Sequence, residues 1–263
     1  MKIAVHAAYG TSSEETGVIF LLAKYLNRFF PDMIQLRCSG AFSHCDRDAE
    51  SQWKRGLETC FKCMHEQKEL SGWADLRLLD LTSYLSASEV LETRKWISYA
   101  STEELLQSTY DGIQPSELIG GSFKNRFGVE TPNLANRNHE QVARRYMLAA
   151  LRTSLAAKTF AAKEQPDLTF IAGADDFISR STMEQLKAAK LQSVVFYWDL
   201  AGHVIKIVHP RVNSVYSCGI VIEGLSSMRS DVKTWPTELL SMIDEIISFL
   251  EIDIHQIPVR VAR

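Results

Sequence analysis

The sequence predicts an α/β fold, a Rossmann-like open parallel sheet with a helical insertion, and three observations predict it. The chain opens on KIAVH, a short apolar run of the kind that makes a buried strand, and a loop then leads into a long apolar-periodic helix. From Asp167 the same order returns, with DLTFIAGADD running into RSTMEQLKAAK and then SVVFYWDL. Between these units, residues from about 86 to 165 read as almost wholly helical.

Each element has a local reason. The loop Ala7 to Thr16 ends in residues that cap a helix: Ser12 or Ser13 as cap, with Glu15 or Thr16 near the capping-box distance. That loop presents backbone N–H groups at a helix N-terminus, a seat for a phosphate or a sugar hydroxyl, and so Tyr9, Gly10 and Ser12 are candidate binding residues. The helix itself, GVIFLLAKYLNRFF, is interrupted by Lys24, Asn27 and Arg28, which predicts an amphipathic core helix and not a membrane span. MIQLRC is the second strand, a cysteine-rich segment fills about 38 to 69, and DLRLLDL is the third strand. In the helical stretch, TEELLQSTYDG and PSELIGGSFKNRFG are separated from HEQVARRYMLAALRTSLAAKTFAAKEQ by Pro132 and Asn133. TELLSMIDEIISFL is the closing helix.

The 263 residues are 46% hydrophobic, enough for one large core in a single lobe. A formal net charge of −3 gives no electrostatic footprint for nucleic acid. The N-terminus lacks the pattern of a secretory signal, so a reducing, cytoplasmic setting is expected. No G-x-S-x-G, Walker loop, H-E-x-x-H or G-x-G-x-x-G occurs, and the corresponding hydrolase, nucleotide and dinucleotide readings have no motif behind them.

Four of the five cysteines fall within 26 residues, spaced C-x6-C-x14-C-x2-C as Cys38, Cys45, Cys60 and Cys63. In a reducing compartment such grouping points to metal ligands. The last two lie in a helix-forming segment at i,i+3, which puts both sulfurs on one face. Tetrahedral zinc and a 4Fe-4S cluster both accept four thiolates, and the spacing leaves the choice open. His44 and His65 adjoin the cysteines as substitute ligands.

These residues also carry a resemblance. Cys38-Ser39-Gly40, Cys45, the Cys60/Cys63 pair, TEELLQSTYDGIQPSELIGGSFKNRFGVE, ARRYMLAALRTSLAAKTF and EQPDLTFIAGADDF resemble bacterial capsule and surface-polysaccharide biosynthesis proteins of glycosyltransferase-like type, over about residues 1 to 250. Such proteins are similar to GT-B glycosyltransferases, with two Rossmann-like halves around a cleft. The resemblance implies a single GT-B-like lobe that supplies the acceptor side. A separate donor-binding glycosyltransferase subunit would complete it, as in the split N-acetylglucosaminyltransferase of the dolichol pathway. It further implies a sugar or lipid-linked acceptor, and association with a membrane only through the partner. The chain departs from the family where an Asn-Gly-Arg-Phe-like turn becomes Ala174-Asp175-Asp176-Phe177, and where a Tyr-Glu-Arg-Gly-like turn becomes Tyr197-Trp198-Asp199-Leu200. Losing both arginines removes bidentate anion recognition and implies a changed ligand or lost catalysis.

Sugar transfer needs a group to take the acceptor hydroxyl's proton, and the candidates are Asp199, Asp175, Asp176 and His6. Ligands of open α/β sheets bind beyond the strands' carboxyl ends, which brings in Tyr9 and Arg180. Lys124, Arg126, Arg144 and Arg145 lie on neighbouring segments that can converge on an anionic ligand. Two readings of other classes stand beside the transferase: a noncatalytic binding or scaffold protein with a structural metal site, and an iron-sulfur protein in redox or sensing.

Overall fold

The computed structural model describes residues 1–9, 14–40, 45, 57–199, 204–209, 212–217, 235, 237–250 and 252. In chain order it forms β1 (Ile3–His6), α1 (Glu14–Leu26), β2 (Ile34–Arg37), α2 (Leu57–Ala74), β3 (Arg77–Asp80) and a 3-10 turn at Leu81–Tyr84. The helical insertion follows: α3 (Ala87–Tyr99), α4 (Thr102–Gln107), α5 (Pro115–Leu118), α6 (Gly120–Phe127) and α7 (Arg137–Glu164). Then come β4 (Leu168–Ala172), α8 (Phe177–Ala188), β5 (Gln192–Asp199), β6 (Val204–His209), β7 (Val212–Ser217) and α9 (Thr237–Phe249).

The described strands make one sheet in the order β3-β2-β1-β4-β5-β6-β7. The run from β3 to β5 is parallel, as the sequence predicts. The far edge differs, because β5, β6 and β7 pair antiparallel. VIKIVHPRVNSVYS carries two β-rich runs around a Pro-Arg pair, a hairpin signal absent from the parallel expectation.

Alternation along the parallel strands fills two cores. Ala4, Ile34, Leu36 and Ile171 face the core shared with α7 and α8. Ile3, Val5, Leu168 and Phe170 face the core shared with α1 and α9. The architecture is a three-layer α/β/α lobe. Val18 to Ala23 of α1 are all buried, so the middle of this helix is enclosed more fully than the single apolar face of an amphipathic helix. At its last turn Lys24 pairs with Asp75 at 2.6 Å, and just beyond it Asn27 donates to the carbonyls of Ala74 and Asp75.

The insertion is held by local chemistry legible in its residues. Ser86 with Glu89 and Ser101 with Glu104 form complete capping boxes, and Asn136 caps α7. Along α7, Ala143, Ala149, Ala150, Ala156 and Ala157 are buried, and these small side chains let the helix lie close against α8. The opposite end of α7 is tied back to the sheet through Glu164, whose carboxylate accepts from Lys2 at 2.6 Å, Tyr84 at 2.8 Å and Arg77 at 3.3 Å. No helix among the described residues is long and apolar enough to cross a membrane.

Candidate functional site

The chain runs outward from β1 to β2 and β3, then returns to lay β4 on the other side of β1. The carboxyl ends of β1 and β4 therefore flank the point where strand order reverses, the place where open α/β sheets hold ligands. Several sequence-predicted residues converge here.

Beyond β1, Tyr9 is buried and its hydroxyl lies close to the Asp176 carboxylate. Beyond β4, Gly173 takes a left-handed φ of 67°, which turns the chain from strand to helix at a position suited to glycine. Asp176 then caps α8, its Oδ1 accepting from the N–H groups of Ile178 at 2.9 Å and Ser179 at 2.8 Å. Burial raises the Asp176 pKa, and those hydrogen bonds oppose the rise by favouring the carboxylate.

One turn into α8, Arg180 faces the same edge. Its Nε is buried and has no hydrogen-bond partner among the described residues. Arg180, Asp175 and Asp176 all act electrostatically on half-buried Tyr197 near the end of β5, whose pKa is raised, first by desolvation. The backbone of Asp199 ends β5, while its side chain lies outside the described part of the structure, as do Gly10, Ser12 and His44.

His6 sits lower, within the sheet, and is fully buried. Its Nδ1 lies 3.1 Å from the Leu36 carbonyl, so Nδ1 carries the proton, and Nε2 has no partner among the described residues. Loss of hydration lowers its pKa to about 4. The imidazole is thus neutral and sealed from water beneath the crevice.

The insertion supplies the crevice wall. The Ser122 hydroxyl accepts from the Phe177 N–H at 2.8 Å, and Gly121 lies against the Asp175 carbonyl. Sequence reasoning passed over both residues, although a Gly-Gly-Ser run is the signal of close backbone approach. The four basic residues expected to converge are dispersed among other tasks. Lys124 pairs with Glu130 at 2.8 Å, and Arg126 lies over the Phe127 ring. Arg144 donates to the Ala100 and Ile97 carbonyls and to Thr102, fixing the end of α3. Arg145 remains on α7, two turns from its start.

The thiols gather at the adjacent loop. Cys38 directly follows β2, and Cys60 and Cys63 stand one turn apart on α2. The Cys38 pKa is pushed up to about 12, mainly by desolvation and further by Cys63, Cys60 and Asp176, against a hydrogen bond from the Gly40 backbone. Gly40 is in contact range of Cys60, a Cβ there lying 3.9 Å from its Sγ. Gln67 Nε2 donates to Cys63 Sγ at 3.3 Å and to the Ala8 carbonyl at 3.0 Å, linking the thiols to the loop after β1. Cys45 packs on the same apolar cluster as Cys38. None of the four is in a disulfide, and among the described residues no three His, Cys, Asp or Glu side chains stand as a ready-made metal site. His65 is exposed on α2.

No family model matches the sequence, and no curated protein matches it.

Proposed function

We propose that this chain is the acceptor-side lobe of a GT-B-like glycosyltransferase of bacterial surface-polysaccharide synthesis, with the donor-binding half supplied by a partner subunit. One observation carries the reading: Tyr9, Asp175, Asp176, Arg180 and Tyr197 meet at the switch point of the sheet. Two phenols, two carboxylates and a guanidinium offer donors, acceptors and flat ring faces together, the mixture needed to hold a hydroxyl-rich ring. The loops that depart from the family pattern lose arginines, yet Arg180 brings a guanidinium back to the same edge from one turn further along α8.

In this reading Arg180 anchors the acceptor, Tyr9 and Asp176 set its orientation, and Asp199 or Asp175 takes the proton from the attacking hydroxyl. Asp176 is committed to the helix cap, with Tyr9 close by, which suits it to positioning. The partner would bring any membrane association.

The test is transfer by reconstitution. The chain is recovered from its host with the partner that co-purifies, then given a labelled nucleotide-sugar and a polyprenyl-phosphate-linked acceptor. Label is expected to reach the acceptor only when both polypeptides are present, and Asp199→Asn is expected to abolish transfer with the fold intact. Full transfer by that variant removes Asp199 as the base, and absence of transfer by the intact pair removes the transferase reading.

A further inference from the structure

We infer that Cys38, Cys45, Cys60 and Cys63 form a thiolate site for a thiophilic metal centre that clamps the loop after β2 to helix α2, beside the proposed crevice. The inference is independent of what the crevice binds.

The scaffold holds the thiol-bearing elements in fixed relation before any metal is considered. Arg37, the residue preceding Cys38, donates from Nε to Asp80 at 2.6 Å and from Nη1 to the carbonyl of Met64 at 3.2 Å. The end of β2 is thereby tied both to β3 and to α2, at the residue after Cys63. Ser39 is hydrogen bonded to Thr82, which fixes the next position of the loop. Gly40, with φ of 71°, bends the chain back onto α2 beside Cys60. Cys60 and Cys63 share a helical face at i,i+3, and Cys38 lies near enough to feel both.

The chemistry points the same way. Cys38 is poorly hydrated and lies within electrostatic range of Cys60, Cys63 and the Asp176 carboxylate. The Gln67 amide donates to Cys63 sulfur, the kind of outer hydrogen bond that orients a metal-bound thiolate. A cysteine has one side-chain torsion, so the choice of rotamer sets where its sulfur stands. Four thiolates make a closed site, structural and not catalytic, for one zinc ion or for a 4Fe-4S cluster.

The experiment uses the full chain purified without air or chelator, assayed for zinc, iron and acid-labile sulfide. About one equivalent of zinc, or iron and sulfide in equal amounts, is expected, and the first outcome assigns an ion while the second assigns a cluster. Cys60→Ser and Cys63→Ser are expected to lose the metal, and Cys218→Ser to keep it. A variant that does not fold leaves a second readout: the wild-type chain, stripped of metal and titrated with Co2+, is expected to develop thiolate-to-cobalt absorption that saturates at about one equivalent. Protein purified free of metal that shows no such absorption overturns the inference, as does a reversible Cys60–Cys63 disulfide formed without metal.

Discussion

Gly121→Ala is expected to destabilise the protein by about 3 kcal/mol, at the upper end of the usual cost of overpacking. A Cβ on Gly121 would stand 2.0 Å from the Asp175 carbonyl oxygen and 2.9 Å from its carbon. These are backbone atoms, so α6 or the loop after β4 must move. Alanine favours helix over glycine by at most about 1 kcal/mol, too little to offset such a clash. The neighbouring Gly120→Ala is the internal control, because its Cβ would lie 3.8 Å from the Glu130 carbonyl, an ordinary contact. Urea unfolding is expected to show Gly120→Ala unchanged or slightly more stable and Gly121→Ala strongly weakened. Equal midpoints for the two would show that the insertion does not press on the crevice loop. Because that loop carries Asp175 and Asp176, the same substitution is expected to weaken any crevice ligand.

The second large effect is a pH dependence carried by His6. Its folded pKa is about 4 against an ordinary 6.5, through burial. Between those values the unfolded chain binds the proton and the folded chain does not, so stability falls as pH drops from 6.5 towards 4. A shift of this size corresponds to about 3 kcal/mol, fully present above pH 6.5 and lost as the pH reaches the folded value. His6→Asn keeps a donor towards the Leu36 carbonyl and removes the titration. The difference in unfolding free energy between wild type and this variant, measured from pH 7.5 to 4, is expected to shrink by about that amount. A difference that stays flat across the range would mean that His6 is hydrated.

The elements that were legible share one property: their signal is local. KIAVH contains β1, and DLTFIAGADD contains both β4 and the Asp176 cap that starts α8. Ser86 and Ser101, each followed three residues later by glutamate, mark two helix starts without help from tertiary structure. What escaped depends on neighbours distant in sequence. His6 reads as the end of a buried strand and a candidate base, but only the flanking β2 and β4 show that its ring is wholly sealed. Arg144 reads as a free cation until α3 brings two carbonyls to it. The candidate site divides the same way, since the residues beyond β1, β4 and β5 follow from the strand pattern alone. That Tyr9 lies beside Asp176, and that the thiols after β2 adjoin the same edge, follows only from the order of strands in the sheet.

The most direct test of the proposed function is saturation-transfer NMR on the full chain, with monosaccharides and a short-chain polyprenyl-phosphate-linked sugar as probes, repeated with Arg180→Ala. Transfer of saturation to at least one sugar ring is expected, with an affinity about tenfold or more weaker in the variant, the cost of removing a charged hydrogen-bond donor. Saturation that reaches no sugar, or that reaches one equally well in wild type and variant, would contradict a sugar-binding crevice built around Arg180.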